Sequence, residues 1–127
     1  MQSDLAEEYA ERLQSALGEP LRTVAVGDLE HQLYEVVYMR DDIADLYPSE
    51  KRDEIVRDAL LENVAERRQE ELFSPLGELN FTTRVFDGGI NVYCWIDEDE
   101  AVFVGLGEEI GLIEPTISIC RELYGED

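Results

Sequence analysis

Lysine is all but missing from this chain. Of ten basic residues only Lys51 is a lysine, and the ten face 31 acids, for a formal charge of −21. A field of that sign repels nucleic-acid phosphates and anionic lipid, so neither is an expected partner. There is one histidine, His31, and two cysteines, Cys94 and Cys120, neither in a C-x-x-C pair. Zinc takes about four N or S ligands, and three scattered candidates do not predict a metal site. Both cysteines sit in apolar surroundings, VYCWI and ISICREL, and read as buried free thiols. Apolar runs such as AVFVGLG (101–107) fall far short of the roughly 20 residues that cross a bilayer. The opening MQSDLAEEYAERL has no positive n-region, so no signal peptide is expected and the cytoplasm is the expected compartment.

What is present is enough for a core. At 127 residues, 44% of them hydrophobic, the chain is expected to form a single domain over 1–127 and not a disordered acidic tail. Dispersed Asp and Glu with almost no Lys is the composition expected of a cytoplasm filled with molar salt. There the Debye length shrinks to about 3 Å and self-repulsion is screened. Most of the charge then reads as a solvation coat.

The periodicities predict an α-β-β-α-β-β-β-α order. A first helix capped by Ser3 or Asp4 buries Leu5, Tyr9, Leu13, Ala16 and Leu17, with Gly18 and Pro20 to end it. Strands follow at 21–28 and 31–40, joined through Gly27-Asp28-Leu29-Glu30. Simple alternation puts Leu33, Glu35, Val37 and Met39 on one face of the second strand, and Tyr34, Val36, Tyr38 and Arg40 on the other. Ser49 is the expected N-cap of a long helix to residue 72 that buries Ile55, Val56, Ala59, Leu60 and Val64. ELNFTTRVF (78–86) and INVYCWI (90–96) flank Asp87-Gly88-Gly89, a strong hairpin signal. The acidic turn 97–100, a strand at 101–107 and a helix at 109–124, with Pro115 in its first turn, complete the chain. The expected class is α+β, a largely antiparallel five-stranded sheet with helices packed on it.

Motifs for chemistry are thin. The DEDE turn lacks the glycine and ligand spacing of a calcium loop. GLGEEIG (105–111) matches no phosphate loop, and Glu108 and Glu109 would repel phosphate. Without G-x-S-x-G, and with one histidine, no nucleophile, base and orienting group can be named together, so the chain is not expected to be an enzyme or to need a cofactor. Two arginines stand out because each ends or interrupts an apolar strand: Arg40 in VVYMRDD and Arg84 in NFTTRVF. A guanidinium there must be paired or reach water. Arg40 neutralised by Asp41 or Asp42 suffices as an explanation. The alternative is recognition of a partner at a sheet edge by Tyr34, Tyr38, Arg40, Asp41, Arg84 and Phe86, since Tyr and Arg are enriched in binding hot spots. The long helix, with half of the chain's basic residues, reads as a solvated face or as a docking face for an acidic partner or a second copy of itself.

The element order resembles the roadblock/profilin-like group, in which two N-terminal and three C-terminal strands share one sheet. Members of that group act as dimeric scaffolds or as regulators of small GTPases and motility systems. The resemblance places strands two and three at the edges, with Arg40 and Arg84 on opposite sides. LRTVAVGDLEHQLYEVVYMRDDIADLY and LGELNFTTRVFDGGINVYCWI also look like a family of small acidic haloarchaeal proteins of unknown function, which implies the compartment but no activity. The combined expectation is a non-enzymatic regulatory or interaction module, with a protein partner or a homodimer. The helix–sheet–helix layout also suits a PAS- or GAF-like small-molecule sensor, with Tyr93, Trp95 and Phe103 lining its pocket.

Overall fold

The computed structural model describes residues 3–125. Five strands form one sheet in the order β2-β1-β5-β4-β3, every pairing antiparallel. They are β1 (Leu21–Asp28), β2 (Leu33–Met39), β3 (Phe81–Phe86), β4 (Gly89–Trp95) and β5 (Glu100–Leu106). Helices α1 (Ser3–Leu17) and α4 (Ile113–Tyr124) cover one face, and α3 (Ser49–Leu72) crosses the other. The α+β class and the Asp87-Gly88 hairpin are as the sequence predicts, and the edge positions of β2 and β3 are as the resemblance implies.

The larger core lies under α1 and α4. Tyr9 and Leu13 of α1, Val24 and Val26 of β1, Val92 and Cys94 of β4, and Cys120 of α4 are all buried there. Beneath α3 a smaller cluster joins Leu29, Ala59, Trp95, Ala101 and Phe103. Residues 101–106 of β5 are buried throughout, as a strand covered on both faces must be. Gly27 is needed for close approach: a Cβ there would lie 2.8 Å from the Phe103 ring.

Several local expectations are corrected. A short helix, α2 (Asp41–Leu46), grows from the charged end of β2, where Asp41 and Asp42 suit a helix N-terminus and Tyr47-Pro48 stop it. Ser49 is the first residue of α3, and its N-cap is Pro48. The capping position of α1 lies outside the described residues. On α1, Ala16 is exposed, and Ala6 and Ala10 take the buried positions because they face the sheet beside Tyr9 and Leu13. On α3, Val64 is exposed and Asn63 is buried instead, its Nδ2 donating to the Glu98 carbonyl at 3.0 Å. The inward face of this helix thus carries polar groups that reach the hairpins below.

The largest correction is in β2. Val24 pairs with Tyr38 but Ala25 with Val36, so Val37 is an extra residue, a β-bulge. The bulge breaks the period-2 alternation. Tyr38 turns to the α1 side with Val37, and Met39 joins Tyr34 and Val36 on the α3 side.

Candidate interaction site

Arg40 ends β2 as the centre of a latch. Its guanidinium forks onto Asp42, Nε to Oδ1 at 2.6 Å and Nη2 to Oδ2 at 2.9 Å, while Nη1 donates to the Glu19 carbonyl at 2.5 Å. Its backbone N–H donates to the Arg22 carbonyl at 2.9 Å, and its carbonyl accepts from Ile43 and Ala44. The bidentate bond from Arg40 holds the Asp42 carboxyl below the usual range. Asp42 is therefore the partner, while Asp41 is exposed at the start of α2. One side chain joins the α1–β1 loop, the end of β2 and α2.

The other β2 candidates do not form one patch. The bulge leaves Tyr34 facing α3, where its hydroxyl accepts from Arg52 Nε at 3.4 Å, and turns Tyr38 half-buried toward α1.

At the opposite edge, Arg84 pairs with Glu62 of α3 and lies 5.7 Å from the centre of the Tyr93 ring. Burial raises the Glu62 pKa, outweighing the pull of Arg84. Phe86 and its neighbour Val85 are each 55% exposed at the hairpin end of β3. Alongside them, α3 runs antiparallel to β3: Glu62 meets Arg84, Glu66 accepts from Thr82 at 3.4 Å, and Glu70 accepts from the Leu79 backbone N–H at 2.8 Å.

Sequence reasoning missed the apolar surface beside this edge. Leu61, Val64 and Leu72 lie on the outward side of α3, and Phe73 and Leu76 follow in the connection to β3, all more than half exposed. The signal was available. Leu61, Val64, Ala65 and Leu72 recur at helical spacing on the side opposite Val56, Ala59 and Asn63. A helix with an apolar row on each side has one row for the core and one without a partner in the monomer.

The strand beside that row is open. Among the described residues β3 pairs only with β4, and Trp95 N–H bonds the Asn80 carbonyl at 2.8 Å. With alternation from that pair, Phe81, Thr83 and Val85 turn their backbone N–H and C=O groups away from β4.

The reactive side chains lie elsewhere. Cys94 and Cys120 are buried free thiols side by side between β4 and α4, and their shared hydrogen bond together with burial pushes Cys94 well up. Residues 97–100 form a turn closed by Asp97, whose Oδ1 accepts from the backbone N–H groups of Asp99 and Glu100, both at 2.8 Å. Among the described residues no cluster of His, Cys, Asp or Glu could hold a metal ion, and no helix is long and apolar enough to cross a membrane.

His31 sits on the β1–β2 loop. Asp28 bonds its backbone N–H at 3.2 Å and its ring Nδ1 at 2.9 Å, raising the imidazole pKa while its own falls. The stability this pair adds is present below about pH 6.5, the free imidazole value, and fades as pH rises through the raised value. On the acid side it is lost as pH falls through the lowered value of Asp28. An NMR titration should place the His31 midpoint above about 6.5, and Asp28→Asn should bring it back. A native midpoint at or below that value would contradict the pairing.

The sheet order with a helix pair on one face and a long helix on the other is the roadblock/LC7 fold. Several solved structures share it. MglB of Myxococcus xanthus matches with a TM-score of 0.66 and 10% identity over 96% of this chain and 86% of that one. The gliding protein MglB of Thermus thermophilus matches at 0.63 and 13% identity, over 96% and 87%. A roadblock/LC7 domain of Streptomyces avermitilis matches at 0.55 and 16% identity, over 87% and 91%. At such identities the likeness establishes the fold alone. The chain belongs to a family described as a domain of unknown function, DUF7522, whose model matches residues 7–125. Among curated proteins none matches it.

Proposed function

We propose that this protein is a non-enzymatic interaction module that works as a homodimer, its two copies joined at the β3 edges with their α3 helices side by side. The observation that carries this reading is that Ala65 of α3 and the exposed Phe73 and Leu76 that follow it share a groove with Phe81, Thr82 and Thr83 of the open strand β3, so one two-fold contact covers both. Antiparallel pairing of β3 with its copy would satisfy the outward backbone groups of Phe81, Thr83 and Val85. The same contact would bury Leu61, Val64, Leu72 and Phe73, side chains worth about 1.5–3 kcal/mol each when fully covered. Arg84 is then a support that fixes α3 against β3, while Val85 and Phe86 lie at the rim. At the other edge Arg40 is occupied within its own subunit, which leaves the β2 side for a further protein partner. The cytoplasm of a high-salt cell is the setting that suits the charge.

Thr83→Pro tests the dimer selectively. The Thr83 N–H points away from β4, so proline there removes no bond within the subunit but blocks pairing with a second copy. Light scattering in about 2 M KCl, where screening is nearly complete, should report a dimer for the native chain and a folded monomer for Thr83→Pro. Leu61→Glu combined with Val64→Glu should act in the same direction. A native chain that stays monomeric at millimolar concentration would remove the proposal.

A further inference from the structure

A second site lies on the α3 side of the sheet, toward its β2 end. A cavity of about 120 Å³ opens between β1, β2, β4 and β5 below and α2 and α3 above. It is smaller than the roughly 150 Å³ apolar cavity that suffices to bind benzene. Val36, Met39, Ile43, Ile55 and Phe103 form its apolar wall. The charge of that wall departs from the rest of the molecule. Although 31 of 127 residues are acidic, none of the sixteen described residues lining the cavity is, and Arg22 and Arg52 are both among them.

The two arginines are held apart. Arg22 reaches toward the hairpin, its Nη1 donating to the Gly88 carbonyl at 3.3 Å. Arg52 is fixed by Nη1 on the Tyr47 carbonyl at 2.8 Å and by Nε at 3.4 Å from the Tyr34 hydroxyl. Tyr34, Tyr47 and Arg52 all line the cavity. A guanidinium and a phenol hydroxyl thus meet at one side of an apolar chamber that holds no carboxylate. That is the arrangement that receives a carboxylate attached to a small hydrocarbon group.

We propose that this cavity binds a small branched monocarboxylate whose hydrocarbon group, about four carbons, is smaller than benzene's six, its carboxylate on Arg52 and the Tyr34 hydroxyl and its hydrocarbon group against Val36, Ile55 and Phe103. This is a ligand function separate from dimer formation: the cavity lies away from the outer edge of β3, so its occupancy can be read whether or not two copies pair. Trp95, which the sequence places with Tyr93 and Phe103 around a sensor pocket, does not line this cavity. It stacks edge-on against Tyr93 at 5.6 Å and donates from Nε1 to Thr82 at 2.9 Å.

Isovalerate and its neutral isostere isovaleramide are the probes. Titrations of the native chain in about 2 M KCl, followed by methyl NMR of Val36, Ile43, Ile55 and Val56, should show saturable binding of isovalerate at about 0.1–1 mM. The amide should bind about tenfold more weakly. Arg52→Gln should remove that tenfold preference by weakening isovalerate to the level of the amide. Ala25→Leu, which fills the cavity from β1, should keep or raise the melting temperature and abolish binding of both probes. No saturation by 20-fold above the expected range, equal binding of acid and amide, or unchanged binding in a folded Ala25→Leu would each overturn the proposal.

Discussion

Tyr9→Ala is expected to cost about 3–5 kcal/mol, a large part of the stability of a domain this size. The midpoint of thermal unfolding should fall by about 10–25 °C. Tyr9 is fully buried in α1, its ring edge-on to Tyr124 with centres 6.2 Å apart, and its hydroxyl donates to the Thr116 carbonyl at 2.6 Å. It therefore connects α1 to α4 across the main core, and burial in that position pushes its own hydroxyl pKa up. Removing the ring opens a void between three elements at once. Tyr9→Phe separates the two contributions: the ring stays and the hydroxyl goes. Thr116 loses one donor, and a net cost near 1 kcal/mol is expected. Calorimetry that found Tyr9→Ala within about 3 °C of the native midpoint, less than 1 kcal/mol on this scale, would mean that α1 is not part of the cooperative core.

The second large effect is that of salt. Two like charges about 10 Å apart repel by about 0.4 kcal/mol in water. At 0.1 M ionic strength the Debye length is about 10 Å and roughly a third of that survives, whereas at 1 M it is about 3 Å and almost none does. Spread over a net charge of −21, the difference reaches several kcal/mol. Dilution from about 2 M to 0.1 M KCl should lower the unfolding midpoint by about 10 °C or more. It should also weaken the dimer, because each copy carries the same sign. A midpoint unchanged over that range would leave the acidic surface without the role that its composition implies.

The elements that could be read in advance were those whose local signals agreed. The Asp87-Gly88 turn between alternating strands, the Gly18 stop of α1 and the continuous apolar run of β5 each had one reading. Misreadings arose where a long-range contact decided between two local possibilities. Asn63 is buried because a hairpin carbonyl 35 positions away in sequence lies beneath it, and nothing near Asn63 in the chain reports that. Tyr34 and Tyr38 share a parity in sequence, but an inserted residue, visible only in the register with β1, sends them to opposite faces. Of the candidate site, the pairing of Arg40 was legible because its partner is two residues away. The outward row of α3 was present in the spacing but shadowed by the inward row.

The bulge at Val37 also sets how this strand can change length. Beyond it, Tyr38 is directed to the α1 core, Met39 to the cavity, and Arg40 to Asp42 and the Glu19 carbonyl. Loss of Val37 alone would restore strict alternation with Val36 still opposite Ala25 and Tyr38 still opposite Val24, so these three side chains would keep their layers and the latch its place. A single deletion at the bulge is therefore milder than a double one, which would turn everything beyond it to the opposite face, and the strand's counting, odd or even, carries as much information as the identity of its residues.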